Sequence, residues 1–342
     1  MKGLISAPVI GVIWMLTVLT SCNSKSEEPN FEIGGTSQIL LINTTEDSLD
    51  YRIRDNALWP EKAYYLVATI GPGESILQER KAQGRNDFYF SIEDEEHNLY
   101  STPGAIDTLT IHAAESGKIE LEFAGSLQSV NEFLYAKTHY FGTSKSDRKG
   151  RSECMLDNTK SFEEVFAFND SLTQVNKNYL KSNIKGLPDW YVKFENKRLD
   201  YVNAWYKMNA VFYRKMTLRS DEKVPAEFVK FYSENVELQC PSMLGNRDYM
   251  NFLYQYITFK IDFNQTEVKT PNRNISRKGQ FENRIKMIET ELDGLVKEAY
   301  LASELAQCID RKVLYDVAWL DKIQNPEFRS FLDGVESYYD HH

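Results

Sequence analysis

The sequence predicts an α+β protein, an N-terminal antiparallel β-sandwich followed by an α-helical domain. Two observations carry this expectation. Between residues 31 and 125, short runs of β-branched and aromatic residues alternate with Gly, Pro, Asn and Asp turns, and after Gly125 apolar residues recur at helical spacing. A third observation sets where the fold starts, because an apolar run ending at Cys22 belongs to export rather than to either domain.

That leader comes first in the chain. Lys2 precedes an apolar stretch at 4–19, too short and too close to small residues to suit a membrane span. Leu19-Thr20-Ser21-Cys22 closes the stretch and forms a lipobox. A thiol is needed to accept a diacylglyceryl group, and small residues before it let a signal peptidase close around the backbone. Residues 1–21 are therefore expected to be a lipoprotein signal peptide, with Cys22 as the lipid attachment point. Each buried methylene contributes about 0.8 kcal/mol, so two or three acyl chains hold a protein on a bilayer. Residues 22–30 are polar and aperiodic, as a lipidated tether is.

The β-sandwich domain is placed at 31–125. Strand character is found at 38–43, 49–53, 63–70, 76–79, 88–92, 107–111 and 118–123, separated by turn signals such as Gly71-Pro72-Gly73, Gly84-Arg85-Asn86-Asp87 and Thr102-Pro103-Gly104. Closely spaced short strands of this kind suit two antiparallel layers.

The α-helical domain is placed at 126–337. Val130, Phe133 and Leu134 open the helical period, and a polar loop is expected at 141–160. Phe162, Val165, Phe166, Leu172, Val175 and Tyr179 form one stripe, with Ser161 as its N-terminal start; Trp190, Phe194, Tyr201, Trp205, Met208 and Phe212 form a second, begun by Leu187-Pro188-Asp189. Helical spacing makes that aromatic row a core stripe rather than a sugar-stacking platform. Alternation through Ile257, Phe259, Ile261 and Phe263 predicts a short strand, and a third stripe runs from Phe281 through Ile288, Leu295 and Ala302 to Ile309.

Composition and motifs narrow the function. A net charge of −10 disfavours nucleic acid as a partner, since phosphates demand a basic face. Beyond Cys22 the cysteines are Cys154, Cys240 and Cys308; Cys308 lies on an apolar helix face, while Cys154 and Cys240 are the candidates for a disulfide outside the cytoplasm. Cys-x-x-Cys, Gly-x-Ser-x-Gly, phosphate-binding glycine loops and His-Glu-x-x-His are all absent, so no catalytic residue, metal ligand or cofactor is assigned. His97, His112, His139, His341 and His342 are scattered, and Asp94-Glu95-Glu96 reads as a solvated hairpin tip rather than a calcium site. A hydrolase built on two carboxylates would need them about 5–10 Å apart across a cleft.

The order of elements nonetheless resembles a known family. Thr102-Pro103-Gly104, Asp107-Thr108-Leu109-Thr110-Ile111, Ile119-Glu120-Leu121-Glu122-Phe123-Ala124-Gly125-Ser126 and Val130-Asn131-Glu132-Phe133-Leu134 are similar to the N-terminal region of lipid-anchored, thioredoxin-like TlpA-type proteins of Bacteroidota. Tyr249-Met250-Asn251-Phe252-Leu253 and Ala299-Tyr300-Leu301-Ala302-Ser303 resemble that family's helical part. The resemblance covers roughly 31–335. It implies a β domain leading into helices, but the family's Trp-Cys-x-x-Cys has no counterpart here, so its catalytic residues have no positions to occupy. Either an accessory relative without the redox domain or a truncated chain is implied. Lys25-Ser26-Glu27-Glu28 resembles the acidic surface-export signal of that phylum, and Asp47-Ser48-Leu49, Asp107-Thr108-Leu109 and Asp170-Ser171-Leu172 resemble its three-residue O-glycosylation sites.

The expected function is that of a non-catalytic protein of the cell envelope, anchored to the outer membrane through lipid on Cys22 and binding another envelope protein. The alternative is a surface lipoprotein that binds glycans or nutrients.

Overall fold

Alternating side chains build the first strand. Along β1 (Thr36–Asn43) Ser37, Ile39, Leu41 and Asn43 are buried while the residues between them reach towards solvent, the period-two pattern of a strand with one face on a core. The computed structural model describes residues 35–55, 65–81, 86–93, 95–114, 118–141, 144–216, 223–224, 236–264, 267–268, 276–313 and 317–340. Over these the architecture is α+β, with strands leading and helices following. Cys22, and with it the expected signal peptide at 1–21 and tether at 22–30, lies outside the described residues, as do Asp94, His341 and His342.

A two-residue antiparallel pair, β9 (Phe263–Asn264) with β10 (Glu267–Val268), lies among the helices; the other strands are β2 (Leu49–Asp55), β3 (Tyr65–Ile70), β4 (Ser75–Lys81), β5 (Asn86–Ile92), β6 (Glu95–Ser101), β7 (Ile106–Ala113) and β8 (Ile119–Ala124). They form two four-stranded sheets, ordered β4-β1-β7-β8 and β3-β2-β5-β6. Both contribute to one hydrophobic cluster, Ile39, Leu41, Leu109 and Phe123 from the first and Tyr51, Ile53, Phe90 and Leu99 from the second.

One expectation about the sheets needs correction. Pairing is not wholly antiparallel, because β1 and β7 run parallel, Leu41 opposite Leu109. A parallel pair needs a long crossover, and β2 to β6 provide it. The acidic run lies at the β5–β6 hairpin as expected: the chain turns at Glu93, φ +51°, and Glu95, paired with Ile92, begins β6. The Glu-Glu-His-Asn composition of β6 hid its strand character.

Helices α1 (Gln128–Phe141), α2 (Ser144–Leu156), α3 (Phe162–Ser182), α4 (Asp189–Met216), α5 (Arg247–Asp262), α6 (Arg277–Glu291), α7 (Gly294–Asp310) and α8 (Pro326–Asp340) follow. Ser161 starts α3 as expected: its hydroxyl accepts from the Glu164 amide while the Glu164 carboxylate accepts from the Ser161 amide, a complete capping box. Helix α2 replaces the loop expected at 141–160. Its anchor is polar, for fully buried Arg151 donates to Asn169 and Thr173 of α3, and no apolar stripe announced it. The strand expected around 257–263 is instead helical as far as Asp262, where α5 buries Phe252, Leu253, Tyr256 and Ile257 at helical spacing, and only Phe263 enters a two-residue strand, Phe263–Asn264. The stripe from Phe281 to Ile309 is divided, because Leu292 and Asp293 are extended and Gly294 has φ +50°. Phe194, Tyr201 and Met208 of α4 are buried in the helical core, with Trp190, Trp205 and Phe212 packed against it.

Helix α1 joins the two regions by packing on β6 and β8, one edge strand of each sheet. Its entry turn is tight: Gly125 has φ +121°, and a Cβ there would lie 2.4 Å from Asp107 Oδ1. Only glycine fits both the backbone angle and that approach.

Candidate functional site

The densest polar chemistry among the described residues lies where the sheets meet the helices. Glu195 of α4 is fully buried, and its position one turn before Arg198 lets that guanidinium grip it with two hydrogen bonds, Nε to Oε2 at 2.6 Å and Nη2 to Oε1 at 2.8 Å. Lys137 of α1 donates to the same Oε1 at 2.8 Å. Arg198 Nη1 reaches across to Asp248 of α5 at 2.5 Å. One ionic chain thus ties α1, α4 and α5.

Asp87 of β5 approaches this chain from the sheet side, where the Arg247 amide at the start of α5 meets it. That helix start is capped by Asn246, whose Oδ1 accepts from the Asp248 and Tyr249 amides while its Nδ2 donates to the Tyr100 hydroxyl at 3.4 Å. Tyr100 of β6 stands edge-on to Tyr191 and Phe194 at 5.8 and 5.4 Å and joins the helical core. Arg80 of β4 closes the far side, donating to Ser101 Oγ at 2.6 Å with its guanidinium 3.8 Å over the Phe88 ring.

Burial and charge set the proton affinities. Burial, reinforced by Asp248, pushes the Asp87 carboxyl up to about 6, against the pull of Arg198 and Arg247. Burial lowers Arg80 to about 9, with Asp87 opposing that fall. Burial alone would raise Glu195, but Arg198 and Lys137 hold it down at about 2. The cluster therefore contains a firmly ionised carboxylate and a second one poised to take up a proton below neutral pH. Lying beside Tyr100 and Tyr191, these groups bond one another across the junction and tie the sheet to the helices.

A second group lies on the other side of α1. His97 of β6 is almost fully buried, its ring 5.2 Å from Tyr135 and 6.3 Å from His139, both of α1. Burial first and His139 second bring His97 down to about 4. Glu95 Oε2 approaches its Nε2 at 3.6 Å, whereas Glu96 faces Arg54 at 3.8 Å. Neighbours on a strand point to opposite faces, which separates the carboxylates that are adjacent in sequence. Among the described residues no three His, Cys, Asp or Glu side chains gather as metal ligands. His112 lies apart, bonded to Thr44 and Glu122.

The cysteines are not brought together. Cys154 and Cys240 are free thiols in different apolar clusters, Cys154 beside Val165 and Ala210 and Cys240 in the main helical core, so the disulfide considered between them is not formed. Lys197 Nζ and Ser242 Oγ both lie 3.5 Å from Cys240 Sγ, and Tyr249 Oη accepts from the Cys240 amide. Burial raises Cys308 to about 12.

Sequence reasoning missed Asp87, Arg80, Glu195, Arg198 and Asp248. Only the Glu195 to Arg198 spacing on one helix was open to it. No known family model matches the chain, and no curated protein matches it in sequence.

Proposed function

We propose that this chain is a lipid-anchored protein of the cell envelope that works by binding another envelope protein rather than by catalysis, and that it is related to the N-terminal β and helical region of TlpA-like thiol:disulfide oxidoreductases. The lipobox Leu19-Thr20-Ser21-Cys22 carries the reading, since it gives both address and anchor. The strand-then-helix order supports the relationship. The two sheets, sharing one apolar cluster, are read as the layers of a β-sandwich within 31–125, with the α-helical domain at 126–337. The buried ionic chain supports a binding role, because a rigid two-part scaffold presents a fixed surface.

Expression with an alkyne-labelled fatty acid tests the anchor. Label on the wild type, lost together with membrane association in Cys22→Ser, is the expected result; a labelled Cys22→Ser variant would overturn it. Insulin reduction tests the non-catalytic part, and turnover abolished by Cys154→Ser or Cys240→Ser would refute it.

A second reading, glycan binding at the surface, draws on one observation. Tyr140 is 70% exposed, and its ring lies 4.8 Å from Phe141 and 4.9 Å from Tyr179, an aromatic group that sugar faces can stack on. Saturable binding on a glycan array, lost in Tyr140→Ala, would favour it over the first reading.

A further inference from the structure

Four strands end the two sheets, and they are treated differently. The edges of β6 and β8 are met by α1: Asn131 bonds the Tyr100 amide and carbonyl, and Tyr135 accepts from the Leu121 amide. β4 carries Glu79, Arg80 and Lys81 in succession, charges that discourage a further strand. β3 has neither protection among the described residues. Among the described residues its single strand neighbour is β2, its run from Leu66 to Ile70 holds no charged residue in a chain that is 26% charged, and Val67 is 56% exposed. Leu66, Ala68 and Ile70 face the apolar cluster while Val67 and Thr69 face outward.

The neighbouring strand indicates what this edge would accept. Arg52 of β2 lies beside Val67, and Asp50 beside Thr69, whose hydroxyl donates to Asp50 Oδ1 at 2.6 Å. If β3 met its own copy antiparallel about Ala68, Val67 would face Thr69 and Leu66 would face Ile70. Each outward row would then read Arg52, Val67, Thr69, Asp50 across the two chains, opposite charges at its ends about 14 Å apart at three strand spacings. A register shifted to centre on Val67 would put Arg52 at both ends of its row, like charges in place of opposite ones at the same separation.

We propose that β3 is a self-pairing edge, joining a second copy of this chain in an antiparallel β3 to β3 contact centred on Ala68. The pairing extends the β3-β2-β5-β6 sheet across a two-fold axis, and the inward apolar residues of the two copies continue one another. It does not depend on the lipid anchor or on the binding role proposed above. A short strand contact is small, so the dimer is reversible and dissociates on dilution.

Sedimentation velocity on the full chain, in density-matched detergent, measures the association. A concentration-dependent dimer that becomes monomeric in Val67→Lys, with circular dichroism unchanged, is expected. A wild type that stays monomeric, or a dimer that persists in Val67→Lys, would overturn the proposal. Register is read separately by mixing Val67→Cys protein with Thr69→Cys protein under mild oxidation. Cross-linked heterodimers from the mixture and none from Val67→Cys alone are expected; the reverse pattern rejects the Ala68-centred pairing.

Discussion

Asn131 of α1 does for Tyr100 of β6 what a neighbouring strand would do: its Oδ1 accepts from the Tyr100 amide at 2.7 Å and its Nδ2 donates to the Tyr100 carbonyl at 3.1 Å. One amide side chain satisfies both backbone polar groups of a buried residue, while the Tyr100 ring continues into the helical core. Helix and sheet are thereby joined through backbone as well as through side chains.

Replacing Asn131 with Leu keeps volume and helix propensity but leaves those two backbone groups unsatisfied. At about 1–3 kcal/mol each, a loss of about 2–6 kcal/mol is expected. Urea denaturation measures it, and a loss below about 1 kcal/mol would mean that the junction relaxes to admit water.

Gly125→Ala strains the same junction from the other end. Its φ of +121° is costly for alanine, and the new Cβ would meet Asp107 Oδ1 at 2.4 Å and Asp107 Cα at 3.0 Å. Asp107 cannot easily yield, because its carboxyl, raised by burial, lies against the Leu127 and Ser126 amides that begin α1. A loss of about 2–4 kcal/mol is expected in thermal or chemical unfolding, as for other strained backbone positions with a clash. Wild-type stability in this variant would show that α1 can pivot without cost.

Asp87 and His97 make opposite contributions to acid stability. The folded-state pKa of Asp87 is raised to about 6, so the folded state favours the protonated form and loses stability as pH rises from about 4 through 6. Asp87→Asn removes that dependence, and its stability relative to wild type is expected to rise by about 3 kcal/mol between pH 4 and pH 7. A constant difference across that window would place the Asp87 titration elsewhere. His97 is depressed to about 4, so its contribution is present above pH 6.5 and lost as pH falls through 4. His97→Gln should therefore flatten the acid limb over the same range, and an unchanged limb would argue against a buried neutral imidazole.

Glu195 is depressed to about 2 by Arg198 and Lys137, so its stabilisation is present above the ordinary glutamate range and lost only in strong acid. Glu195→Gln leaves Arg198 and Lys137 without their shared carboxylate and is expected to cost about 3–5 kcal/mol at neutral pH. The variant's stability should also respond less to pH between 4.5 and 2. A smaller neutral-pH loss in Lys137→Ala would fit a shared carboxylate that still keeps its Arg198 fork.

Much of the fold is legible in local patterns because local forces make it. Strands β1, β2, β5, β7 and β8 announce themselves by alternation, and α3 by its stripe and by Ser161. Pattern fails where the stabilising contact is polar or remote. β6 contains Glu95, Glu96, His97 and Asn98, and α2 is held by Arg151, so neither shows an apolar period. At 257–262 the short apolar run satisfies both periods, and only the length of α5 decides between them.

The sequence by itself determined the strand-rich first part and the helical part after it, the turn glycines and the lack of a Cys-x-x-Cys motif, since each is written in neighbouring residues. Tertiary structure alone decided that Asp248 finds Arg198 fifty positions away, that Asn131 closes Tyr100, that Cys154 and Cys240 lie apart, and that β3 carries an uncharged edge. The reason is physical: burial changes the energy of a charge or an unpaired amide by several kcal/mol, and which groups are buried together depends on contacts between residues far apart in the chain.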